Sequence, residues 1–430
     1  MKEQMVYVNQ PEFTDSRREG LIYFISFIVW PFGVMIDALR QWRKPWSKNV
    51  FWIFCIFFGY SFIIADNDIG SADSARYAQI LDEYANSEMT IKTLVRSFYS
   101  ESTAYVDIAQ PLITFLVSRL TNNPNFLFAV FGLVFGYFLS RNIWLLLSNV
   151  RGEITFMVFL FLITFFLTNP IWNINGFRMW TAAQIFLYGT LSYLLEGNTK
   201  KLIWAGISVL FHFSFFLPLV VLLLSIVLKN RINLYFAFFI LTSFIKEIDL
   251  QSVQSYLSFL PAVFHSRTSG YTNLDYAESV SIAYQAMNWY IPLATKGLTW
   301  TIYLIVTYIF FFGRSLLTEN IRMMNLFCFA VLFYSIANIL SLVPSGGRFI
   351  SVASSLIIAF YIIIDSNSPT VKGFNVIGII SIPLILLYCI VGIRSGMDYY
   401  GLVTLIGNPI IAIFNHDSVP FIEAIKQFII

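Results

Sequence analysis

A few side chains in this sequence sit where apolar stretches meet polar loops, and their types suit anion binding and proton transfer. Arg178 follows "NPIWNING" and opens an apolar stretch; Arg348 follows "PSGG" and opens another. A helix N-terminus already carries partial positive charge, so a cation there is locally unfavourable. It becomes favourable when an anion is shared between the backbone N–H groups and the guanidinium fork. Gly346 and Gly347 let backbone approach such a group closely. Phosphate or pyrophosphate is therefore the ligand these two arginines suggest, with snorkelling to lipid headgroups as the plainer reading. His212 interrupts "FHFSFF", and either makes a helix–helix hydrogen bond or acts as an acid/base or phosphate donor at the bottom of a cavity. "DNDIGSADSARY" supplies Asp73 and Arg76, and "FHSRTSGY" supplies His265 and Arg267. Asp73 reads either as a catalytic acid or as the start of a loop helix, because Tyr77, Ile80, Leu81 and Tyr84 follow at amphipathic spacing.

The elements that must position these groups are membrane helices. The chain has 430 residues, of which 57% are hydrophobic and 12% charged, where a soluble protein carries about 25% charged residues. The apolar runs 21–38, 50–65, 124–147, 154–168, 177–195, 232–245, 297–313, 323–343, 349–364 and 374–394 read as spans. Segment 202–228 is long for one span and holds His212, Ser214 and Pro218, which predicts a broken helix or tight helical hairpin. Segment 108–120 contains Pro111 and Arg119 and reads as re-entrant or interfacial. The expectation is an all-α, polytopic helical membrane protein of about 11–13 transmembrane helices, in a single domain over 1–430 with no internal repeat. Residues 1–20 mix both charge signs, unlike a cleavable signal peptide.

Basic residues orient the helices. "RQWRKPWSK" faces the cytoplasm, and so do Arg151, Lys200 with Lys201, Lys229 with Arg231, Arg314 with Arg322, and Lys372. Segments 66–123 and 246–296 then become external loops, and Arg178, His212 and Arg348 share the external side. Loop 66–123 is rich in acids: Asp66, Asp68, Asp73, Asp82, Glu83, Glu88, Glu101 and Asp107.

Several chemistries find no support. The net charge of +3 is too small to imply nucleic acid. Cys55, Cys328 and Cys389 lie singly in apolar runs, and His212, His265 and His416 are far apart, so no metal is expected. No phosphate-binding Walker loop or serine-nucleophile motif occurs, and no cofactor is expected.

Three blocks carry a family resemblance: "ADSARYAQILDEY", then "NINGFRMWTAAQIFLYGTLSYLLEGNTKK", then "LIWAGISVLFHFSFFLPLV" with His212 and, two positions on, Ser214. With the basic loop after the first span and the late arginine Arg348, they resemble the EpsG/Wzy-type bacterial polysaccharide polymerases in order along most of the chain. One departure is Met179 and Trp180, where that family often has glutamine after the arginine. The resemblance implies a metal-independent glycosyltransferase of the bacterial inner membrane, with its active site facing the periplasm or outside. A GT-C-like arrangement is one form this fold would take. Its partners would be undecaprenyl-pyrophosphate-linked glycans, membrane lipid and a chain-length regulator protein. A growing glycan would pass from its lipid pyrophosphate to a new lipid-linked repeat unit. On this reading Arg178, Arg348, Arg76 and Arg267 hold pyrophosphate, and His212 or an external aspartate such as Asp73 is the base. An O-antigen ligase or a GT-C polyprenyl-phosphate-sugar transferase would use a similar cavity. A flippase of lipid-linked oligosaccharide would instead show paired broken helices in two halves.

Overall fold

The computed structural model describes residues 13–64, 73–98, 106–257, 273–367, 372–415 and 419–429. Among these the chain is helical throughout, with no β-strand. Six helical stretches are long and apolar enough to cross a membrane: Pro124–Ser148, Phe156–Glu196, Tyr290–Phe312, Ile321–Leu340, Arg348–Asn367 and Val376–Gly396. The apolar helices Glu19–Val29, Ala109–Ser118, Phe213–Leu228 and Ile232–Ser243 are shorter. This is a polytopic all-α membrane protein.

Proline and glycine explain where these helices break and how closely they pack. The run 21–38 is two helices, Phe13–Val29 and Pro31–Arg40, rather than one. Trp30 leaves the helical region before Pro31, as the proline ring demands of its predecessor, and its indole N–H is tied to the Leu405 carbonyl at 2.8 Å. The helix Ser47–Tyr60 crosses Pro124–Ser148 at very short range. A Cβ on Gly132 would collide with the Cys55 carbonyl, and one on Gly59 with the Phe128 carbonyl. With no hydrophobic force between helices in lipid, such small-residue seams let dispersion contacts hold them.

Polar side chains fasten the interior. Asn142 donates to the Gln184 carbonyl at 2.9 Å and to its side-chain oxygen at 2.7 Å, and Gln184 donates to the Asn169 carbonyl at 3.0 Å. These bonds join Pro124–Ser148 to Phe177–Glu196, the helix that carries Arg178. Arg348–Asn367 is the most enclosed of the long helices, buried along nearly all of its length.

Segment 202–228 breaks at His212. Leu202–Phe211 is a helix, His212 is extended, Phe213–Phe215 is a 3-10 turn, and Phe216–Leu228 is a second helix. Pro218 lies in the first turn of the second helix, where its missing N–H has no intrahelical partner to lose. Both ends of the segment return to one end of the Arg178 helix. Lys201 donates to the Tyr188 hydroxyl, while Lys229 lines a cavity with Tyr193 and Leu194. The segment is thus a hairpin of two half-length helices with its turn at His212.

Candidate active site

The turn before Arg178 is built by asparagines. Residues Ile171–Gly176 form a 3-10 segment leading into the helix Phe177–Glu196. Asn169 donates to the Trp180 carbonyl at 3.0 Å and accepts from Asn173 at 3.0 Å. Asn175 accepts the Ser74 backbone N–H at 3.2 Å and so caps the helix Asp73–Asn86. The "NING" segment therefore ties the loop helix to the start of the Arg178 helix.

The anion that offsets Arg178 in this structure is Asp107. Asp107 is 3% exposed and stands just before the helix Ala109–Ser118. That helix has 10 residues, about 15 Å of rise against a hydrocarbon core of about 30 Å. The Ile108 N–H bonds to the Leu210 carbonyl at 3.0 Å and holds the Asp107 backbone against the end of the first half-helix. Arg178 Nη1 lies 3.1 Å from Asp107 Oδ2. His212 Nδ1 lies 3.2 Å from Oδ2 and 3.3 Å from Oδ1. The Phe213 N–H donates to Oδ1 at 2.8 Å. One carboxylate thus ties the Arg178 helix to the break at His212 and caps the chain as it leaves that break.

Protonation states follow from this geometry. Burial by itself pushes the Asp107 carboxyl up. The hydrogen bond and charge of His212, the charge of Arg178 and the Phe213 N–H together outweigh it and hold the group well below the usual carboxylate range. An ionised carboxylate only accepts, so the hydrogen between it and His212 belongs to Nδ1. In the neutral imidazole Nε2 then carries the free lone pair and can take a proton. Asp107 fixes both the tautomer and the orientation of the imidazole.

Two buried hydroxyls adjoin the cluster. Tyr77 is 1% exposed and its phenol faces Arg178 without a well-aligned hydrogen bond. Burial raises its pKa above the ordinary tyrosine value, against the opposing charge of Arg178. Ser214 Oγ, beside the break, is also buried without a hydrogen bond.

The other residues singled out in the sequence are distributed as follows. Asp73 is the first residue of its helix and pairs with Arg76 one turn on. It lies near Gly176 and contributes to the field at Arg178, but the acid that touches His212 is Asp107. Arg348 opens the helix Arg348–Asn367, and its neighbour Phe349 packs on Phe215 at 5.7 Å between ring centroids. Phe215 also meets Phe186 of the Arg178 helix at 5.7 Å. Arg348 is therefore linked to the cluster through an aromatic contact, and makes no ion pair among the described residues. Arg267, His265 and His416 lie outside the described residues, as do Asp66 and Asp68. Among the described residues no group of three or more histidine, cysteine or carboxylate side chains gathers in metal-binding geometry.

A multi-pass helical protein with a buried histidine–carboxylate–arginine cluster at a helical break is the class that fold and site define. Residues 50–403 match the EpsG family, and the chain belongs to that family, which is of polysaccharide-polymerase type. The match covers Asp107, Arg178, His212 and Arg348. No curated protein and no solved structure matches the chain.

Proposed function

We propose that this protein is a glycosyltransferase that polymerises undecaprenyl-pyrophosphate-linked oligosaccharide repeat units at the external face of the bacterial inner membrane. The observation that carries the reading is the Asp107 carboxylate held between Arg178 and His212. The Asp107 carboxylate accepts the hydrogen bond of Nδ1–H, and His212 Nε2 accepts the proton of an acceptor sugar hydroxyl. The oxygen so freed bonds to the anomeric carbon of the donor glycan. The bond from that carbon to the pyrophosphate oxygen breaks, and its electron pair leaves with the lipid pyrophosphate. Arg178 and Arg348, each at a helix start, stabilise the departing charge. Only one nitrogen of Arg178 contacts Asp107, and a guanidinium has five N–H donors. Arg76, on the loop helix beside the cluster, and Arg267 would add to the hold on pyrophosphate.

The charge distribution supports the orientation. Arg322 donates to the Leu195 carbonyl, at the opposite end of the helix from Arg178. At 1.5 Å per residue the two ends lie about 27 Å apart. Lys201 and Lys229 share that basic end. Excess lysine and arginine on one side is the mark of a cytoplasmic face, and this supports the reading in which the Arg178 end is external.

The test is the glycan length ladder in cells lacking the chromosomal copy. Complementation with the wild-type protein should restore long chains. A variant His212→Ala at equal membrane abundance should leave single repeat units. A full ladder from that variant would remove the assigned base and the mechanism with it.

A further inference from the structure

A cavity lies on the far side of the Arg348 helix from the cluster, and its chemistry differs from that of the cluster. Its volume is about 410 Å³, within the usual range of about 300–1,000 Å³ for small-molecule sites. Thr242, Thr299, Ser351, Ser354, Asn338 and Tyr303 contribute hydroxyl, amide and phenol groups to its wall, and no charged side chain lines it. It belongs to the same membrane end as Arg348. Gly347 lines it at the start of that helix, Thr242 near the end of Ile232–Ser243, and Thr295 near the start of Tyr290–Phe312. Gly347, Ile350, Ser351 and Ser354 follow helical spacing along one face. Phe349, which touches Phe215 at the His212 break, lies on another face. The helix that Arg348 opens thus has this cavity on one face and the catalytic cluster beyond another.

The lining restricts the occupant. A phosphate or carboxylate would want a cation, and a metal would want a carboxylate; the wall has neither. Ile245, Leu298, Leu342 and Ile350 supply apolar surface between the polar groups, as the faces of a sugar ring require, whereas the wholly apolar kind of cavity that a prenyl tail would want occurs elsewhere, bounded by Met35, Phe54 and Leu162. Ser354 is 0% exposed, and its Oγ stands beside the buried Tyr334 hydroxyl, which also reaches Thr299. Asn338 donates to Thr242 Oγ1 at 3.2 Å, which organises part of the wall in advance.

The geometry points to a binding site for an uncharged pyranose sugar, separate from the Asp107–His212–Arg178 cluster, that seats one glycosyl unit of the lipid-linked substrate. The substrate role rests on the polymerase reading above; the binding itself does not. The experiment is saturation-transfer NMR on the full chain in nanodiscs. The probes are millimolar methyl glucopyranoside, methyl galactopyranoside and methyl mannopyranoside, with glucose 6-phosphate and cyclohexanol as charged and apolar controls. At least one methyl glycoside should receive saturation more strongly than either control. Asn338→Leu should weaken that binding about fivefold, the loss of roughly one hydrogen bond, and Ser351→Phe should abolish it by filling the cavity. Thr242→Val, of nearly the same size, carries the test if the bulkier variant fails to fold, and should also weaken binding. Absence of transfer to every methyl glycoside, stronger transfer to either control, or unchanged transfer in folded variants would overturn the site. Sugar binding retained alongside an intact ladder from His212→Ala would count against the polymerase mechanism and leave this site standing.

Discussion

Both oxygens of Asp107 lie within 3.3 Å of His212 Nδ1, although 105 positions separate the two residues. The same carboxylate reaches Arg178, 71 positions away. The contact joins a residue just ahead of a short helix, a helix start and a helical break, so a change at Asp107 bears on orientation, charge and folding together.

Asp107→Asn tests orientation. The amide keeps the shape and still accepts at one oxygen, but its NH₂ can face Nδ1 and favour the wrong tautomer. Repeat-unit polymerisation should fall at least about a hundredfold, equivalent to about 3 kcal/mol of transition-state stabilisation. Asp107→Asn combined with His212→Ala should be hardly worse than His212→Ala alone, because the two act as one unit. Polymer formed per unit time in isolated membranes measures both. Additive losses would mean that the carboxylate works independently of the imidazole.

Asp107 also predicts a pH dependence of stability. Its folded-state pKa is depressed, so the unfolded chain binds more protons than the folded one through the titration. Its stabilisation is fully present above the unfolded aspartate pKa of about 3.9. It is lost as pH falls from there through the lower folded value. The melting-temperature difference between wild type and Asp107→Asn should therefore not narrow between pH 7 and about 5, and should narrow only below about 4. Melting curves in detergent at a series of pH values check this. A difference that already shrinks between pH 7 and 5 would show that Asp107 is not held ionised by its neighbours.

Much of this arrangement is legible in the sequence, and the reason lies in local chemistry. A histidine, a serine and Pro218 inside an apolar run announce the break in 202–228. Arg178 and Arg348 announce themselves as cations at helix starts. Asp107 does not, because it is one of eight acids between residues 66 and 107 and no local spacing distinguishes it. Its role comes from the backbone bond of Ile108 to Leu210, a long-range contact that carries no short-range signature. The break at Trp30 was masked differently. Apolar residues flank Pro31 on both sides, and hydropathy hides the missing N–H.

Arg178→Lys separates charge from shape. Lysine retains a cation beside Asp107, so the fold should persist, but the planar fork is lost. Polymerisation should fall by about a hundredfold while membrane abundance stays near wild type. Arg178→Ala is the harsher change. It strips a buried carboxylate of one partner, which costs about 3–5 kcal/mol, and should lower abundance as well as activity. Glycan ladders read beside immunoblots of the membrane fraction distinguish the two effects. A full ladder from the lysine variant would confine Arg178 to holding Asp107 by charge alone.

Arg348 offers the cleanest test of pyrophosphate binding, because nothing among the described residues depends on its charge. It is partly exposed at its helix start and makes no ion pair there. Removing it should leave the melting temperature within about 1 °C of wild type, since surface substitutions away from packed features shift stability by no more than about 0.5 kcal/mol. If it stabilises the departing pyrophosphate, Arg348→Ala should still cut polymerisation by ten- to a hundredfold, about 1.4–3 kcal/mol. Arg348→Lys should recover only part of that loss, since a point charge replaces a bidentate fork. An arginine that merely snorkels to lipid headgroups would behave differently, because lysine snorkels equally well and would restore a full ladder. The comparison needs three strains, equal membrane levels and one gel. Full activity in the alanine variant would take Arg348 out of the mechanism and leave Arg178 as the principal cation for the leaving group.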